Sequence, residues 1–156
     1  MRLLKKDSLR AITTGQLLDL SQVKDPVFNQ KMMGEGVAFV SDSKVFYAPC
    51  NGVITFLAET KHAIGIKSDK GLEIIIHIGL DTVNLKGEGF ISYCREQDEI
   101  KAGDKLIELS NALFENPDID LTTPLVITNY TALKNLDIDS SRQINSIEEK
   151  VITFKT

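Results

Sequence analysis

Short apolar or alternating runs, each broken within a few residues by Gly, Asn, Asp or Pro, recur along this chain from one end to the other. They fall at residues 36–40, 44–47, 52–58, 62–67, 72–80, 90–94, 105–109, 125–130 and 151–154. Runs of this length, rich in β-branched residues and bounded by turn formers, read as strands; many of them with frequent turns indicate a sandwich or barrel. Helical candidates are confined to residues 111–115, to residues 131–136 behind a Thr cap, and to a short turn within residues 26–33. The expected architecture is all-β: an antiparallel β-sandwich or flattened barrel with a few short helical turns.

One domain is the simplest organisation for 156 residues, enough to bury about two-thirds of the unfolded surface. Residues 1–10 hold four cations and one acid, with a thin apolar face of Leu3, Leu4 and Leu9. They read as a flexible N-terminal tail, and residues 11–156 as the single domain. A net charge of −4 and a pI near 5.2 argue against a nucleic-acid surface. No stretch approaches the ~20 apolar residues of a membrane helix, and the first residues lack the apolar core and cleavage site of a secretory signal. Cys50 and Cys94 have no metal-type spacing, which fits a reducing, cytoplasmic location. The context Ala48-Pro49-Cys50-Asn51-Gly52 reads as a strand end and turn carrying an inert thiol.

The only two histidines, His62 and His77, lie fifteen residues apart on either side of a turn-like Ser68-Asp69-Lys70-Gly71. Flanked by β-branched runs, they read as the two arms of a hairpin. With Ser68 opposite Gly71, His62 faces His77 across the ladder, their Cβ atoms roughly 4.5–5.5 Å apart. A type I turn followed by a left-handed Gly71 gives a three-residue loop instead, and every pair slips by one residue. Such a slip sends side chains to opposite faces, so the even register carries the functional reading. Two imidazoles in contact need partners for their ring nitrogens and resist double charging. That pairing suggests chemistry or a metal, against the plainer alternative of two unrelated polar residues at a strand edge.

Glu59-Thr60-Lys61-His62-Ala63, Ile76-His77-Ile78-Gly79-Leu80-Asp81-Thr82-Val83 and Leu85-Lys86-Gly87-Glu88-Gly89-Phe90 resemble the active-site segments of the glucose-type enzyme IIA family. Its members are phosphocarrier proteins or domains of the bacterial phosphoenolpyruvate-dependent sugar phosphotransferase system. Further blocks in the same order are Asp25-Pro26-Val27-Phe28, Gly34-Glu35-Gly36-Val37-Ala38, Ala48-Pro49-Cys50-Asn51-Gly52, Gly103-Asp104 and Thr123-Pro124-Leu125-Val126-Ile127-Thr128-Asn129. The likeness covers about residues 11–156, and several words in fixed order are far more specific than one motif. Ala11-Ile12-Thr13-Thr14-Gly15 departs from the family's usual Ala-Pro-Leu-Ser/Thr-Gly, leaving the first strand's path open.

By this resemblance the protein is a phosphotransferase component. His77 accepts a phosphoryl group from the histidine-containing phosphocarrier protein and passes it to a cysteine of a sugar-specific enzyme IIB. His62 is the accessory histidine that stabilises the phosphoryl oxygens, Thr60 orients His62, and the Gly79 carbonyl takes the other ring proton of His77. Asp25 and Asp81 are expected beside the pocket, suited to a donor's arginine. Val27, Phe28, Met32, Met33 and Val83 form an apolar docking ring, and Ile64 and Ile75 border the histidines. The chain is expected to be cytoplasmic, peripheral to a membrane permease when docked, and to need no cofactor. Gly87 and Gly89 read as backbone geometry, since a lone Gly-x-Gly is weak evidence for a phosphate loop.

Two other functions compete. In the first, the unphosphorylated face regulates transporters or metabolic enzymes. In the second, His62 and His77 bind zinc at a partner interface; a resident catalytic zinc is disfavoured because it normally has three protein ligands.

Overall fold

A computed structural model describes residues 6–155. Fourteen strands follow one another: β1 (Asp7–Arg10), β2 (Gly15–Asp19), β3 (Glu35–Ser41), β4 (Val45–Tyr47), β5 (Gly52–Leu57), β6 (Ala63–Ser68), β7 (Glu73–His77), β8 (Phe90–Ser92), β9 (Glu99–Ile100), β10 (Lys105–Leu109), β11 (Thr123–Ile127), β12 (Lys134–Ile138), β13 (Arg142–Ile144) and β14 (Lys150–Lys155). Two one-turn helices, α1 (Pro26–Asn29) and α2 (Asn111–Phe114), interrupt them. Every strand pair is antiparallel. The fold is the all-β, antiparallel architecture expected from the sequence.

Eight strands form the main sheet in the order β13-β2-β3-β11-β7-β6-β5-β9, beside two three-stranded sheets, β4-β10-β8 and β1-β14-β12. One core joins all three, with Phe39, Ile64, Ile66, Ile74 and Ile76 from the main sheet, Phe46 and Ile107 from the second, and Leu9, Ile152 and Phe154 from the third. Strand alternation gives the main sheet a second face. There Ala38 and Val126 pack with Leu20, Val23, Phe28 and Leu80, and with Leu18, Met33 and Ile75 beside them. This smaller cluster fastens α1 over the middle of the sheet. Asp25 caps that helix, accepting from the Val27 N–H at 3.0 Å, and Pro26 occupies its first turn.

Three local expectations are corrected. Residues 7–10 are not a loose tail: they pair with β14, and Leu9 is fully buried in the core; the tail expected at residues 1–5 lies outside the described residues. Residues 131–136 are not a helix, because after a 3₁₀ turn at Tyr130–Ala132 the chain enters β12 and pairs with β14. The third correction is the β6–β7 register. Ala63, not His62, is the partner of His77, and Lys67 pairs with Glu73. The loop causes the shift: Gly71 is left-handed (φ +88) and donates to the Ser68 carbonyl at 2.9 Å. Ser68 then meets Leu72, donating N–H to its carbonyl at 2.9 Å and accepting the Leu72 N–H on its hydroxyl at 3.0 Å. The loop therefore holds three residues and ends in a left-handed glycine.

Candidate histidine site

Ile74 and Ile76 turn into the core, which sends Ile75 and His77 to the opposite face of the sheet. His77 is half-buried at the end of β7. His62 lies just ahead of β6, following Lys61, whose φ of +60 breaks the strand geometry. Its carbonyl accepts from the Ile78 N–H at 2.6 Å, one step beyond the last ladder pair. Within a regular strand that position would turn the ring away from His77. The bend at residues 61–62 releases it, and the two rings meet edge to face with centroids 4.9 Å apart. The contact thus forms in the register that strand parity alone would have excluded.

His62 is only 9% exposed. Burial, and secondarily the neighbouring His77, holds its pKa below the ordinary imidazole value, so its neutral form is favoured. Thr60 Oγ1 lies 2.5 Å from His62 Nδ1. His77 Nδ1 lies 2.7 Å from the Gly79 carbonyl. Since that oxygen can only accept, Nδ1 carries the proton in the hydrogen-bonded neutral ring and Nε2 keeps its lone pair. Gly79 reaches this position at φ +77, and a side chain there would collide with Thr82. Phe28 from α1 packs against the His77 ring with centroids 5.4 Å apart. A half-buried imidazole whose Nδ1 faces a carbonyl thus stands beside a second imidazole, whose neutral form is favoured, and apolar walls.

The other predicted residues are placed differently from one another. Val27, Met32 and Val83 are exposed, Met32 by 70%. Met33 and Ile75 are half-buried against the small cluster that includes Phe28. Asp81 is exposed and left-handed at the entry to a 3₁₀ turn at Thr82–Leu85, making no capping bond. The Asp25 carboxylate is engaged in capping α1. Ile64 does not border the histidines: the one-residue register shift pairs it with Ile76 and puts it, 0% exposed, in the core. Ala63 takes the place across from His77, a residue the sequence reading passed over. It also missed Thr82 and Thr123, which surround Gly79; both stood within quoted motif words, but nothing in their spacing tied them to the site.

Among the described residues, no group of three or more His, Cys, Asp or Glu side chains is arranged to hold a metal ion. Cys50 is half-buried at the edge of the core, where burial, with a smaller contribution from Asp69, pushes its thiol up to about 12. Burial also raises the Cys94 thiol. Thiols held protonated in this way are poor nucleophiles near neutrality. No helix in the described residues is long and apolar enough to cross a membrane.

Comparison with known proteins places this geometry in a family. The model for the phosphoenolpyruvate-dependent sugar phosphotransferase system, EIIA 1, matches residues 7–133. A glucose-specific EIIA component from Oceanobacillus iheyensis is 39% identical over 149 residues, covering 96% of this chain and 86% of the relative. One from Bacillus cereus is 43% identical over 131 residues, covering 84% of this chain and 79% of its own length. The solved structure of the glucose permease IIA from Mycoplasma capricolum superposes with a TM-score of 0.86 at 34% identity, covering 98% of this chain and 99% of that one. The two contacting imidazoles therefore sit in a chain that belongs to the EIIA 1 family of the sugar phosphotransferase system, the glucose-type enzymes IIA.

Proposed function

We propose that His77 is the phosphoryl acceptor of this phosphocarrier, loaded by the histidine-containing phosphocarrier protein and discharged to a cysteine of a sugar-specific enzyme IIB. The observation that carries the reading is the 2.7 Å contact between His77 Nδ1 and the Gly79 carbonyl, which fixes the proton on Nδ1 and leaves Nε2 as nucleophile. In loading, the Nε2 lone pair forms a bond to phosphorus as the donor's N–P bond breaks, that electron pair returning to the donor imidazole. In discharge, a cysteine thiolate attacks phosphorus and the pair of the His77 N–P bond returns to Nε2.

A loose phosphoryl-transfer transition state spreads charge over its equatorial oxygens, so the protein's contribution is mostly positioning and electrostatic stabilisation. His62 supplies a donor for those oxygens when the Thr60 hydroxyl donates to Nδ1 and the proton resides on Nε2. Burial favours that neutral ring. Phe28 and the half-buried Ile75 exclude water beside the ring, which slows hydrolysis of the phosphohistidine. Asp81 is free to meet a donor's arginine, and the Asp25 carboxylate does so only while also capping α1. A zinc ion at His62 and His77 would require a further ligand from a docked partner.

The test is phosphoryl transfer from phosphoenolpyruvate through the two general phosphotransferase proteins, read by intact mass. Wild type should gain an acid-labile group of about 80 Da, the mass of one phosphoryl group, and His77→Ala should gain none. His62→Gln should accept the label but pass it on poorly. Full labelling of His77→Ala would overturn the assignment.

The exposed Val27 and Met32, on the segment that brings Phe28 to His77, support a second role as a regulatory surface for transporters or metabolic enzymes. That role requires binding that is lost on phosphorylation.

A further inference from the structure

β7 ends at His77 while its neighbour β11 extends further in the same direction, to Thr123. The register Leu125 to Ile76, carried two residues on, puts Thr123 beside Ile78. At Gly79 the chain turns away at φ +77, and the two peptide units flanking this glycine lose regular ladder partners. All four of their polar atoms are nonetheless bonded. The Ile78 carbonyl accepts from the Thr82 hydroxyl at 2.5 Å, and the Gly79 N–H donates to Thr123 Oγ1 at 3.3 Å. The Gly79 carbonyl accepts from His77 Nδ1 at 2.7 Å, and the Leu80 N–H donates to the Asp120 carbonyl at 2.8 Å.

Thr123 spends its own hydroxyl proton on the Leu121 carbonyl at 2.9 Å, which leaves lone pairs for the Gly79 N–H. Both threonines are out of reach of solvent, at 1% and 0% exposure, so bulk water does not readily replace either hydroxyl. The Thr82 methyl also stands where a Gly79 side chain would lie, wedging the turn from one side.

We infer that Thr123 and Thr82 are positioning residues for phosphoryl transfer, clamping the two Gly79 peptide units so that the carbonyl stays on His77 Nδ1 and Nε2 stays free to react. The inference rests on the reading of His77 as acceptor. A neutral imidazole with its proton on Nδ1 presents a lone pair at Nε2; the other tautomer presents an N–H there and cannot attack. If the Gly79 peptide rotates, the acceptor that selects between these tautomers is lost. The clamp therefore reaches the reaction through the ring it orients.

The decisive comparison is Thr123→Val, which keeps the shape and removes the acceptor, against Thr123→Ser, which keeps the hydroxyl. Imidazole ¹⁵N shifts of the unphosphorylated protein, recorded at about pH 8, above the reference imidazole value, report the His77 tautomer. Phosphoryl acceptance is timed in parallel. The Val variant should lose the preference for Nδ1–H and accept the label roughly ten- to a hundredfold more slowly, the scale of a misplaced reacting group; the Ser variant should recover both. A folded Val variant with the wild-type tautomer and rate would overturn the clamp. Should it fail to fold, Thr82→Val, which frees the Ile78 carbonyl but keeps the methyl, is read in the same way. The tautomer readout needs no partner protein, so wild type taking no label would count against the carrier reading, distinguishably from a failure of the clamp.

Discussion

Gly71 and Gly79 flank the two ends of β7 with nearly the same backbone angle, φ +88 and +77, in opposite surroundings. A side-chain carbon on Gly71 would meet nothing within 4 Å. On Gly79 it would fall 2.4 Å from the Thr82 methyl carbon and 3.0 Å from the Asp120 carbonyl oxygen. At the first, glycine serves only to turn the chain and set the register. At the second it brings a carbonyl onto a ring nitrogen through a space too small for any side chain. The same residue type thus has a conformational reason at one end of the strand, and a conformational, steric and chemical reason at the other.

Substitution at the two glycines separates these reasons. Gly79→Ala carries the left-handed strain of about 1–2 kcal/mol and an overpacking cost of about 1–3 kcal/mol. It should lower the denaturant midpoint by far the larger amount and abolish phosphoryl acceptance by the protein that still folds. Gly71→Ala carries the strain alone, about 1–2 kcal/mol, with acceptance unchanged; a lost acceptance here would show that hairpin register, not the Gly79 clamp, governs the site. The smallest effect concerns acid stability. The His62 pKa is lowered in the folded protein, chiefly by burial, so the unfolded chain binds more protons as pH falls through and below the ordinary imidazole value near 6.5. The contribution is present above that value and lost as pH drops through the lower folded value. Urea midpoints across that window should therefore decline toward acid in wild type, and decline less in His62→Gln.

The runs of Val, Ile and Phe made β3, β5, β7, β10 and β14 readable, because alternation and turn formers record which residues face a core. β12 was hidden: Lys134-Asn135-Leu136-Asp137-Ile138 is half polar, has Asn135 at φ +52, and follows a Thr-led segment that looks like a helix start. The hairpin loop was legible in principle, since a left-handed glycine at its last position is what a three-residue loop requires. Reading it as even put Ile64 beside the histidines, whereas one residue of slip puts it in the core. His62 and His77 met despite that slip because Lys61 breaks the strand before parity applies. Thr123 could not be connected to Gly79 from spacing, since the pairing of β11 with β7 brings together segments more than forty residues apart.

The position of β7 within the sheet has a consequence for how the site fails. β11 and β7 are the two middle strands of eight, with three further strands beyond each of them. A strand so placed has no free edge from which to fray, so its amides belong to the slowest-exchanging part of the domain. The His77 ring is carried on a rigid plate, and any surface that engages it must supply the adjustment. Heating has no gentle intermediate to offer: the imidazoles stay aligned until the sheet itself opens, and loss of the site and melting of the domain become one event.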